Sequence, residues 1–173
     1  MAELATVTLA KALKLKNRLA GRLAKIDSDL QNYNSVPAGS DQPDIRTIYE
    51  GRKTLVGQLV ELKVAINAAN QSSQRTIFRL GELKSQVALL GKMSTKHGNV
   101  LEEYARTQVQ YIAQFRKVDV DRAVRELEVE IDRLQEELDA FNYRTTISLD
   151  SDLLRSIEAV PPVAGKGTGT VPG

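Results

Sequence analysis

The side chains able to do chemistry are few and scattered. His97 is the only histidine and cysteine is absent. Without thiols there are no disulfides, thiolate nucleophiles or cysteine-held metals. A Ser/His/Asp device needs its imidazole held between a nucleophile and an orienting acid, and zinc usually takes several His or Cys ligands. His97 instead lies in Lys96-His97-Gly98-Asn99, whose composition predicts a turn and a solvated ring. Gly165-Lys166-Gly167-Thr168 resembles the end of a phosphate loop, but the Gly required five residues before the Gly-Lys pair is replaced by Val160. Glu126, Glu130 and Glu137 could suggest a carboxylate metal cluster. Di-metal bundles combine such acids with Glu-x-x-His on facing helices, and no Glu-x-x-His occurs here. These acids predict a solvated face, with Arg122–Glu126 and Arg133–Glu137 spaced to pair along a helix. No catalytic residue, cofactor or metal is expected, and the chain reads as a non-enzyme.

What must carry function is then the packing of the elements themselves. From Asp119 to Phe141, apolar residues recur at Val120, Val124, Leu127, Ile131, Leu134, Leu138 and Phe141 in alternating steps of four and three. This heptad seam predicts a helix packed along a narrow stripe. Such helices draw most of their stability from packing rather than from intrinsic propensity. A first helix is predicted from Val7 to Tyr33, with Leu9, Ala12, Leu19, Leu23, Ile26, Leu30 and Tyr33 in one seam interrupted by Lys16, and Thr6 or Thr8 as cap. The Pro- and Gly-bearing segment Ser35–Pro43 predicts a loop. Asp44 then begins a second helix carrying Ile45, Ile48, Leu55, Leu59, Leu62, Ile66 and Ala69, and the two helices should form an antiparallel hairpin.

Asn67–Ser73 is a polar break, where Asn67 and Asn70 suit helix ends, as does Asn142 further on. A third helix is predicted over Thr76–Met93, with Ile77, Leu80, Leu83, Val87 and Leu90 on one side. Thr107–Phe115 alternates imperfectly with β-forming residues and predicts a strand, the rival being a helix over Leu101–Phe115. Tyr143–Leu149 is also β-prone, so the two segments flanking the heptad helix are expected to make a small antiparallel ribbon. Asp152–Val160 fits a short helix, and the Pro- and Gly-rich stretch after it fits a flexible tail. The fold class is mainly α: an elongated antiparallel helical hairpin, a third helix and a C-terminal heptad helix with a small β-ribbon. Residues 1–150 form the helical domain, and 151–173 a flexible or docking tail.

The 173 residues contain no Trp and only 5% aromatics, so aliphatic side chains must do the packing. The net charge is only +2, but it is unevenly placed. Residues 11–25 hold Lys11, Lys14, Lys16, Arg18, Arg22 and Lys25 without an acid, whereas residues 119–139 hold nine acids against three arginines. The basic stripe could pair with the acidic helix, in the same or a neighbouring chain, and opposite charges can guide which helices meet. Phosphates of nucleic acid and an anionic membrane surface are its other readings. Helix pairing or plain solvation ranks first, membrane second and nucleic acid third. No apolar run approaches the roughly 20 residues that span a bilayer, and residues 1–11 lack a signal-peptide pattern, so cytoplasmic synthesis is expected.

Three stretches resemble the septicolysin-like group of bacterial helical proteins: Ile66-Asn67-Ala68-Ala69-Asn70, Val118-Asp119-Val120, and Asn142-Tyr143-Arg144-Thr145-Thr146. The resemblance covers about residues 9–149. The first loop lacks the acidic stretch of that group, and the segment after Leu149 has no counterpart in it. The resemblance implies a mainly helical, self-associating protein, while the group's name implies a pore-forming cytolysin; it supplies no catalytic residues.

The expected function is a non-enzymatic homo-oligomeric scaffold, with itself and other assembly proteins as partners and without nucleic acid. The alternative is a membrane-active, cytolysin-like protein. The positions expected to pack helices are Val120, Val124, Leu127, Ile131, Leu134, Leu138 and Phe141, together with Leu19, Leu23, Ile26, Leu30, Leu55, Leu59, Leu62 and Ile66.

Overall fold

The computed structural model describes residues 3–40, 43–102 and 107–159. In chain order these form β1 (Leu4–Thr8), α1 (Leu9–Tyr33), α2 (Ile45–Ala69), a 3-10 turn (Asn70–Ser73), α3 (Gln74–Lys92), β2 (Gly98–Glu102), β3 (Thr107–Tyr111), α4 (Lys117–Arg144), β4 (Thr146–Asp150) and α5 (Ser151–Ala159). The fold is mainly α with small β-ribbons, as expected. The described residues divide into two compact units. Unit 1 holds the described residues up to 71 and those from 142 to 159, and unit 2 holds the described residues between 72 and 141.

Unit 1 is built around α1. Thr8 is extended, and its Oγ1 accepts from the Lys11 backbone N–H at 3.2 Å, satisfying one of the donors a helix start leaves open. The buried positions are Leu9, Ala12, Leu15, Leu19, Leu23 and Ile26. Their steps of three and four follow the 3.6-residue period, so Leu15 enters the stripe where a strict heptad would require Lys16. Tyr33, expected in the seam, is exposed because it sits in the last turn. The Asp44 carboxylate caps α2, accepting from the N–H groups of Arg46 and Thr47 at 3.1 and 3.2 Å. α2 packs along α1 to form the expected hairpin, burying Leu62 and Ile66 and half-burying Leu55 and Leu59.

The N-terminal boundary expected for α1 is overturned. Residues 4–8 form a strand, not helix, because β1 pairs antiparallel with β4: Val7 opposes Ile147 and Ala5 opposes Leu149. Period-two alternation turns Val7, Ile147 and Leu149 into the core and leaves Thr6 and Ser148 exposed. α5 follows at once. The Asp150 carboxylate accepts from the N–H groups of Asp152 and Leu153 at 2.9 and 3.0 Å, and Leu154 and Ile157 are buried. Residues 151–159, expected in a separate tail, therefore belong to the core of unit 1. The rest of that tail, with Gly165-Lys166-Gly167-Thr168, lies outside the described residues, as do Asp41 and Gln42 of the first loop.

Unit 2 contains α3, β2, β3 and the greater part of α4. β2 pairs antiparallel with β3, Val100 opposing Val109 and Gly98 opposing Tyr111. Gly98 has φ +84°, a conformation that favours glycine and lets the chain turn into β2. The expected ribbon between 107–115 and 143–149 does not form; each segment pairs elsewhere, giving two ribbons. The helical alternative for Leu101–Phe115 is likewise overturned, since Leu101 and Glu102 belong to β2 and Thr107–Tyr111 to β3.

Candidate helix-packing surface

The seam on α4 has a partner within unit 2. Leu80 and Leu83 of α3 meet Leu134 in a buried cluster, with Leu127, Ile131 and Leu138 packed partly buried against it. Polar links flank the cluster: Arg79 bonds Glu130, Lys84 Nζ donates to Gln135 Oε1 at 3.5 Å, and Thr76 Oγ1 donates to Glu137 Oε1 at 3.4 Å. Of the seam positions expected on α4, Val120 and Leu134 are buried, whereas Val124, Leu127, Ile131, Leu138 and Phe141 are half-buried. In unit 1, Leu19, Leu23, Ile26, Leu62 and Ile66 are buried, and Leu30, Leu55 and Leu59 half-buried. The expected packing stripes are thus largely used inside their own units. Arg133 pairs with Glu137 at 3.4 Å as expected, whereas Arg122 pairs with Asp119 instead of Glu126.

The uncovered apolar surface lies elsewhere. Phe78 is 67% exposed and Leu89 63%, both on α3. Eleven residues are three turns of helix, so the two side chains share a face, turned away from Leu80 and Leu83. α4 repeats the arrangement, with Val118 exposed and Val129 71% exposed, again eleven residues apart and away from the seam. At Leu89 alone of these four, a groove of about 330 Å³ opens, lined also by Leu90, Phe115 and Leu127 among others. Sequence reasoning missed these four positions because it followed the dominant seam. The eleven-residue step was the signal that could have found them.

Among the described residues the remaining polar clusters bond internally, apart from Gln58 Oε1, which is buried without a hydrogen-bond partner. At the β2–β3 ribbon, Glu102 Oε1 accepts from Lys96 Nζ at 2.7 Å and from the Tyr111 hydroxyl at 2.6 Å, and the Lys96 ammonium lies 5.1 Å from the centre of the Tyr111 ring. These hydrogen bonds, from Lys96 first and Tyr111 second, hold the Glu102 carboxyl below its ordinary range. The same bond to Glu102 raises the Tyr111 phenol. His97 Nδ1 accepts from the Ala113 backbone N–H at 3.2 Å, which ties the ring to the main chain. In unit 1, Arg52 Nε bonds Asp27 Oδ1 at 2.5 Å, bridging α1 and α2, and this bond lowers the Asp27 carboxyl.

Two open clefts on the α1–α2 hairpin, about 610 and 540 Å³, are lined chiefly by Leu30, Ile45 and Tyr49 and by Ile26, Ile48 and Leu55. Neither sets a nucleophile beside a base. Among the described residues no group of three His, Cys, Asp or Glu side chains could hold a metal ion, and no helix is long and apolar enough to cross a membrane.

No family model matches the chain, and no curated protein matches it. Among solved structures, it is similar to the crystal structure of a functionally unknown conserved protein from Corynebacterium diphtheriae. The TM-score is 0.72 at 15% identity, over 83% of this chain and 99% of that one. That likeness shows a shared fold.

Proposed function

We propose that this chain is a non-enzymatic scaffold that assembles with copies of itself through helix packing, as a component of a larger particle. The observation that carries the reading is the face formed by Phe78 and Leu89 on α3, matched by Val118 and Val129 on α4, with large apolar side chains left more than half exposed. Uncovered apolar side chains of this size, repeated along the outer face of each helix, are what a further helix could cover. The thin cluster beneath it adds a reason. Two helices meeting around Leu80, Leu83 and Leu134 leave Leu127, Ile131 and Leu138 only partly covered, and a second pair of helices would complete the burial.

The membrane-active alternative, implied by the family resemblance, fits the burial less well. α1 keeps Leu9, Leu15, Leu19 and Leu23 inside unit 1, so its apolar side is already engaged. To lie on a bilayer, the helix would have to leave that core.

Light scattering across a concentration series tests the scaffold reading. The wild type should form a defined oligomer, and Phe78→Ser with Leu89→Ser should shift it toward monomer with unchanged helical content. A strictly monomeric wild type overturns the reading. Leakage from anionic vesicles at low protein concentration would favour the membrane alternative instead.

A further inference from the structure

The two uneven charge clusters have a common geometry. On α1, Lys14, Arg18, Arg22 and Lys25 follow one another in steps of four, four and three. On α4, Glu128, Asp132, Glu136 and Asp139 follow in the same steps. Eleven residues make three helical turns, so each set forms one stripe about 16 Å long. Lys14 and Lys25 are exposed, as are Glu128, Asp132 and Glu136. None of these five makes an ion pair among the described residues. Arg18 gives one N–H to the Glu158 carbonyl, and Asp139 accepts from the Gln135 amide, both at the exposed surface. Asp29 borders the basic stripe, and Arg125 and Val129 border the acidic one.

We propose that the basic stripe of α1 in one copy docks on the acidic stripe of α4 in a second copy, and that this contact selects which faces meet in the assembly. The inference rests on the self-association proposed above and names its partner surface. The two stripes match position for position when the helices run in the same direction. A polyanion such as nucleic acid or an anionic membrane would account for the basic stripe alone and would leave the acidic one without a partner. A second copy satisfies both at once and is present at equal concentration. Exposed charges of this kind guide encounter and specificity more than they add affinity. The apolar side chains therefore hold the complex, and the stripes orient it. Screening acts over about 8 Å at physiological salt, so the orienting effect should fade as salt rises.

Two charge-reversed variants test this: Lys14→Glu with Lys25→Glu, and Glu128→Lys with Asp132→Lys. Light scattering should show each variant needing at least fivefold more protein than the wild type to associate, with unchanged circular dichroism. Mixed in equal amounts, the two should recover wild-type association, because each reversed stripe then finds its complement on the other chain. If both variants associate like the wild type, the stripe contact is overturned while self-association stands. If the wild type itself is monomeric, the scaffold reading fails and this contact fails with it. Another overturning result is a mixture that stays dissociated while one chain carrying all four reversals behaves normally, which would place the pairing within a single chain. Normal association by the α1 variant, coupled with loss of binding to duplex DNA or to anionic vesicles, would assign the stripe to a polyanion and also overturn the proposal.

Discussion

Arg79 on α3 and Glu130 on α4 form a two-pronged link, with Arg79 Nε donating to Oε1 at 3.1 Å and Nη2 to Oε2 at 3.2 Å. The parallel geometry fixes the register of the two helices beside the Leu80–Leu83–Leu134 cluster. The bond to Glu130 also raises the Arg79 guanidinium above its ordinary value. Both side chains remain substantially exposed, so the pair orients more than it stabilises. In a double-mutant cycle with Arg79→Ala and Glu130→Ala, thermal melts should show a small coupling at low salt that nearly vanishes in 1 M NaCl. Coupling that persists unchanged at high salt would contradict an exposed pair.

Burial orders the cost of substitutions in the same cluster. Leu83 is fully buried, and Leu83→Ala should cost about 2–5 kcal/mol through lost transfer energy and a cavity. Leu134, 6% exposed, faces the same cluster, and an aspartate there would bring an unpaired charge into apolar surroundings, costing several kcal/mol. Ile131 is only partly buried, so Ile131→Asp should cost less than Leu134→Asp. Urea titrations measure the order, and a reversal would show that the cluster is centred elsewhere.

At the start of α1 two threonines compete for the cap, and the structure assigns it to Thr8. Thr8→Ala should destabilise by about 1 kcal/mol, and Thr8→Ser should restore most of that. Thr6 points outward from β1, so Thr6→Ala should leave the urea midpoint nearly unchanged.

The titratable pairs make stability depend on pH at both ends. Asp27 and Glu102 are held below their ordinary values of 3.8 and 4.5. Their contribution is complete above that range and is lost as pH falls through the lowered values. Tyr111 and Lys96 are raised above 10.0 and 10.5. Their contribution is complete below those values and disappears as pH rises through the raised ones. Ultraviolet titration should place Tyr111 above 10.0 in the wild type and move it down in Glu102→Gln.

The helices were legible from spacing alone. The heptad seam of α4 and the stripe of α1 are local patterns, and Asp44 and Thr8 are caps that sequence can suggest. The ribbons were less so, because pairing is non-local. Nothing in Leu4-Ala5-Thr6-Val7-Thr8 announces a partner at 146–150, and five residues are too few to set strand apart from helix. β2 was hidden beside a turn, since Gly98 and Asn99 carry the signals of a bend. The candidate surface was obscured by a stronger pattern: Leu127, Ile131 and Leu134 drew attention to the seam, and the sparser Phe78–Leu89 and Val118–Val129 steps passed unnoticed.

The pairing of β1 with β4 bears on how the protein is made. On the ribosome, β1 emerges early but has no strand to join until everything through Asp150 has been synthesised. Residues 72–141 form a continuous stretch and are finished sooner, so unit 2 can settle while α1 and α2 still await their clasp. The hairpin of α1 and α2 can thus form first, and unit 1 closes only when Thr146–Asp150 arrives to zip onto β1.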